Sequence, residues 1–170
     1  MRILAKSAIL ALLICNPSDA ASIEDLLTPL ARDIVNQGFP TGIPCCTDKD
    51  LQTLKAQLSI ESIPNELQSF FMNFGHKRFT CMQVVRPQSI FHNHPTQGTV
   101  TMITEAWKFG VSREYLPFCY DNADYYCIHL ETGQVRFWSY HELAFSDNPR
   151  DMWDSFNDWV VNDWIPLMKQ

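Results

Sequence analysis

Between residues 47 and 58 the leucines fall at Leu51, Leu54 and Leu58, steps of three and four that put them along one side of a helix. Thr47 precedes the run and Asp50 lies in its first turn, so the pattern predicts a helix capped by Thr47. A second helix is predicted from Ser62-Ile63-Pro64-Asn65-Glu66, because proline is favoured at a helix start, where its missing N–H would be unpaired anyway. Its apolar face is Leu67, Phe70, Phe71 and Phe74, and Gly75 closes it. Earlier, Ile23, Leu26, Leu27, Leu30 and Ile34 trace one face of a helix over residues 23–36, interrupted by Pro29 and followed by a loop through Cys46. From Phe79 the period changes. Thr80–Val85 and Thr99–Ile103 are rich in β-branched residues and read as strands, with a loop from Arg86 to Gly98 between them. Tyr125–Leu130 and Gln134–Ser139 flank Glu131-Thr132-Gly133 and predict a hairpin, Gly133 supplying the positive φ of its turn. A last helix is predicted over residues 150–164, burying Trp153, Phe156, Val160 and Trp164. Helices, then a mainly antiparallel sheet, then a closing C-terminal helix make an α+β fold.

The 170 residues allow one ordinary domain with an N-terminal extra, and 46% hydrophobic content is enough to build its core. A net charge of −6 argues against a nucleic-acid partner, which demands Lys and Arg on one face to displace counterions. Residues 1–20 place Arg2 and Lys6 before an apolar run from Ala8 to Cys15, a break at Pro17, and small residues at Ser18 and Ala20. That order predicts a secretory signal cut after Ala20, and so a periplasmic or secreted protein; the alternative is an N-terminal helix of a cytoplasmic one. The run is too short to span a bilayer, so no permanent membrane anchor is expected.

Candidate chemistry is sparse. His92-Asn93-His94-Pro95 is similar to the opening of the JAMM-type isopeptidase metal motif, and would support a zinc hydrolase built on His92 and His94. Met102 and Glu105 stand near where that motif requires Ser and Asp, and a thioether cannot orient a zinc-bound water. No Cys-x-x-Cys pair, Gly-rich phosphate loop or Gly-x-Ser-x-Gly elbow is present, so neither catalysis, a metal nor another cofactor is expected. After cleavage Cys45, Cys46, Cys81, Cys119 and Cys127 would remain, an odd number; in an exported protein Cys119 and Cys127 are the pair to consider for a bridge. Acidic residues concentrate late in the chain. Asp151, Asp154 and Asp158 would share a side of the last helix, forming either a plain solvated face or a surface for a basic partner.

Several segments together resemble the SUKH superfamily, whose founders include the yeast Smi and Knr cell-wall regulators. Ile63-Pro64-Asn65-Glu66-Leu67, with Asn73-Phe74-Gly75 after it, is similar to the early proline-started helix, although Phe74 separates Asn from Gly. Residues 115–127 resemble the central segment, and Thr132 to Glu142, with Trp138, His141 and Glu142, the strand and ending that follow. The resemblance covers residues 47–164 and implies a domain over 47–170, with residues 115–139 pairing as neighbouring strands. It implies no shared catalytic residues and no cofactor. Its bacterial members are often immunity proteins that block toxins, and its fungal members act as scaffolds. The expected function is therefore a protein-binding domain, an immunity protein first and a scaffold second. Its contact surface is expected at Asp121, Asp124, Trp138, His141, Glu142, Asp151, Asp154 and Asp158.

Overall fold

Thr47 accepts the Asp50 N–H while the Asp50 carboxylate takes the Thr47 N–H at 2.8 Å, a reciprocal cap that starts helix α1, Asp48–Leu58. Leu51, Leu54 and Leu58 are buried along it, as their spacing requires. Helix α2, Asn65–Phe74, follows Pro64, whose carbonyl accepts the Gln68 N–H, and buries Leu67, Phe70 and Phe71. A computed structural model describes residues 46–74, 83–84, 99–121 and 123–168, with residues 25 and 28, which are helical. The expected signal, most of the helix over 23–36, the loop 86–98 with its histidines, and Gly75 lie outside the described residues.

The sheet is antiparallel throughout. Strand β1, Gln83–Val84, pairs with β2, Tyr115–Asp121; β2 pairs with β3, Asp124–His129; and β3 pairs with β4, Val135–Ser139. The outer side of β4 is shared. Its end pairs with β5, Ala144–Phe145, and its start with β6, Met152–Trp153. Gly133 has φ 76° in the β3–β4 turn, and His129 Nδ1 accepts the Glu131 and Thr132 N–H groups there.

Two sequence expectations need correction. Thr99–Ile103 is no strand but the start of helix α3, Thr99–Lys108. β-branched residues favour strands only weakly against packing. Thr99, Ile103 and Ala106 are buried at helical spacing, and the Thr104 hydroxyl is absorbed by the Val100 carbonyl at 2.8 Å. The last helix also begins later than residue 150. Asn148 caps a short 3-10 turn at Pro149–Asp151, Trp153 pairs with Val135 in the sheet, and Ser155 caps helix α4, Phe156–Trp159. The helical path continues through a π-helical turn, Val160–Trp164, into α5, Ile165–Met168. Asp151 therefore stands off the helix, and Asp151, Asp154 and Asp158 share no helix face.

Both faces of the sheet are buried, which explains why Tyr125, Tyr126, Cys127 and Ile128 are all interior. Tyr126 and Ile128 enter a main core with α1, α2 and the C-terminal helix; Tyr125 and Cys127 enter a second one with Ala106, Val111 and Trp138. Cys119 lies in the first and Cys127 in the second, so no bridge joins them. In the main core Phe118, Phe156, Trp159 and Trp164 form a continuous aromatic stack, with Trp159 and Trp164 parallel at 5.7 Å.

Asp163 meets this core from the π-helical turn. Burial pushes its carboxyl up from the usual value; Tyr126 and Trp159 oppose that shift, and nearby Asp151 adds to it. Neither Asp163 Oδ2 nor Trp159 Nε1 makes a well-formed hydrogen bond, so burial prevails. A raised carboxyl is stabilising in acid, and that contribution is lost as pH rises through its folded value. Asp163→Asn is accordingly expected to raise the melting temperature at neutral pH, with the gain shrinking in acid. A gain of equal size at both pH values would contradict this reading.

Candidate interaction surface

Strand β4 carries the expected contact residues at its two ends. At its end, the loop Tyr140–Leu143 leads into β5, and His141 and Glu142 are exposed on it. Asp124, opposite Asp121 where β2 turns into β3, accepts the Tyr140 N–H at 2.8 Å and so holds that loop. Asp124, His141 and Glu142 are thus brought together. Trp138 is only 1% exposed and packs against Tyr125, so it supports the surface from below and offers no contact of its own.

Asp154 and Asp158 lie toward the other end, where Trp153 pairs with Val135, about 13 Å away by strand rise; Asp151, just before the Met152–Arg136 pair, lies nearer the middle of β4. Their carboxylates are engaged differently. Asp151 accepts the Ser146 hydroxyl at 2.5 Å, while Asp158 accepts the Asp154 N–H at 3.1 Å and the Asn162 amide. Asp158 also gives its own N–H to the Ser155 cap. These bonds organise the entry to the C-terminal helix; Asp154 is exposed beside them.

Sequence reading missed the apolar part of the surface. Phe109, 42% exposed, and Tyr140, 43% exposed, meet edge to face at 5.1 Å, and Tyr140 in turn contacts Trp138. Tyr120 is exposed further along, against Tyr125. Leu143 is 58% exposed and has φ 51°. The left-handed region costs a non-glycine residue roughly 1–2 kcal/mol, and a loop at this point ordinarily uses Gly or Asn. The signal available was a leucine standing where the turn asks for neither bulk nor apolarity. Phe109 was available too, displayed at the end of α3 just before Gly110.

Tyr125, beneath these groups, has its phenol pushed up to about 12, first by burial and then by Tyr120, Glu105, Cys127 and Tyr140 around it. The folded chain therefore holds this proton more tightly than the unfolded one. Stability from Tyr125 is intact below pH 10 and lost as pH rises toward about 12. A spectrophotometric titration is expected to show one phenol ionising late, together with a falling melting temperature; Tyr125→Phe should abolish the late phase. A phase that persists in the variant would reassign it.

Among the described residues, no group of three His, Cys, Asp or Glu is placed to hold a metal ion, and no helix is long and apolar enough to cross a membrane. His92 and His94 lie outside them. A family model described as "SMI1-KNR4 cell-wall", of the SUKH group, matches residues 23–165. A solved structure described as "protein from Pseudomonas syringae pv. tomato" is similar at 21% identity and a TM-score of 0.64, covering 85% of this chain and 100% of that one. At that identity the likeness speaks to the fold alone. No curated protein matches.

Proposed function

Because this chain belongs to the SUKH (SMI1-KNR4) family, we propose that it is a non-catalytic binding domain that neutralises a protein toxin by forming a stoichiometric complex with it. The observation that carries this reading is the corner at the end of β4, where exposed apolar groups stand among Asp124, His141 and Glu142. Exposed aromatic groups ringed by charge are the usual anatomy of a protein-binding surface. A standard interface buries about 1,600 Å² in total, roughly 800 Å² per partner. The proposed footprint is centred on this corner, takes in Asp121 opposite Asp124, and extends along β4 toward Asp151, Asp154 and Asp158. Acidic character on this side favours a basic partner and speeds encounter with it.

Co-expression with a toxin encoded beside this protein is the direct test. Rescue of growth is expected with the wild-type chain. Glu142→Lys is expected to weaken the complex tenfold or more, about 1.4 kcal/mol, by reversing a rim charge. Killing that is unchanged with and without this chain would count against immunity, and a stable complex with housekeeping proteins in its place would favour a scaffold.

A further inference from the structure

The fold spends strain on Leu143. A leucine in the left-handed region, more than half exposed, serves neither the turn nor the core. It stands in the same short loop as Tyr140, whose backbone Asp124 pins and whose ring meets Phe109. The loop thus holds an aliphatic group and one ring ready at the surface, beside the Phe109 ring at the end of α3, with the ordering of Tyr140 already achieved before any partner arrives.

The charges around this strip say what it fits. Glu142 precedes Leu143, Glu105 lies close enough to Tyr125 to raise its phenol, and Asp124 sits beneath; Lys108, next to Phe109, opposes them, while Arg113 and Arg136 are already engaged over Trp107 and Phe145. With −6 over the whole chain, the field at the strip favours cations. Neighbouring rings show how cations are received. Arg113 lies over Trp107 at 4.7 Å and Arg136 over Phe145 at 5.0 Å. Phe109 and Tyr140 present the same kind of ring while each remains more than 40% exposed.

Resting on the reading that this is a binding domain, we infer that Phe109, Tyr140 and Leu143 form a docking strip for a basic amphipathic segment of the partner protein. Guanidinium or ammonium groups of that segment lie over the two rings, its apolar side chains pack on Leu143, and its charges meet Glu105 and Glu142.

The test uses the full chain and two synthetic peptides, one alternating Arg and Leu and one with Glu in place of every Arg, followed by NMR. The Arg peptide is expected to produce saturable shifts at Phe109, Tyr140, Glu142 and Leu143 that weaken with added salt, and the Glu peptide none. Leu143→Gly is expected to lower affinity roughly tenfold while the melting temperature stays level or rises, because glycine relieves the strained φ. That split separates lost contact from lost fold. Absent shifts, equal shifts with both peptides, shifts centred on Asp154 and Asp158, or a strip already covered by a second copy in sedimentation would each overturn the inference. If the peptide binds as described but no toxin is neutralised, the strip stands and immunity falls. If a toxin is neutralised equally well by Leu143→Gly and Tyr140→Ala, immunity stands and the strip falls.

Discussion

Replacing Trp159 with alanine is expected to remove about 3–5 kcal/mol of stability, the range for emptying a large aromatic site in a packed core. Trp159 is fully buried and is the point where the sheet and the C-terminal helix meet. Its ring contacts Phe118 of β2 at 5.0 Å, Tyr126 of β3 at 5.3 Å, Phe156 of its own helix at 5.7 Å and Trp164 one turn on. Alanine would strip all four rings of a neighbour at once, and the π-helical turn that follows gives the helix no simple way to close the gap. Domains of this size are commonly stable by about 5–15 kcal/mol, so the loss is roughly a fifth of the total or more. Urea unfolding followed by circular dichroism measures it, and Trp159→Phe should retain much of the difference. A change under about 0.5 kcal/mol, typical of a surface position, would show the helix packed elsewhere.

The second large effect concerns Glu66. Its carboxylate accepts the Asn157 N–H at 3.0 Å, across 91 positions of sequence, and so ties the first turn of α2 to the first turn of α4. Hydrogen bonds to a charged group contribute about 1.5–3 kcal/mol, and the freed N–H would be left in a half-buried site. Glu66→Ala is therefore expected to destabilise by about that amount. Glu66→Gln keeps an acceptor and should lose less. Because α2 and α4 pack through Phe70 and Phe156, 5.3 Å apart, the Glu66→Ala loss should fall in part when Phe156 is also truncated. Strict additivity in that double variant would mean that the bond and the packing are independent.

How far the chain could be read without its structure depended on whether a residue's partner was near in sequence. Thr47 with Asp50, the leucines of α1 and Gly133 are local devices, and each behaves as its spacing announced. The run from Thr99 was misread because helical burial between the two cores, Ile103 entering the first and Ala106 the second, outweighs the strand preference of its threonines. Trp153 looked like a helix stripe residue because Phe156 and Val160 follow at helical steps, but its backbone is taken by Val135, 18 positions earlier. The candidate surface was half visible. Acidic residues and His141 declare themselves by type; the display of Phe109, Tyr140 and Leu143 is set by tertiary placement, which periodicity does not carry.

The division of one side of β4 between β5 and β6 limits how this protein can be approached. From Val135 to Ser139 the main-chain groups of that margin face Met152 and Trp153 at one end and Ala144 to Ser146 at the other, with the Ser146 N–H closing onto the Phe137 carbonyl. An extended peptide finds no row of unmet amides there, so templated pairing, and the polymerisation it can seed, is blocked at β4. Recognition along this flank falls to side chains alone, which makes it a matter of shape and charge that single substitutions can retune.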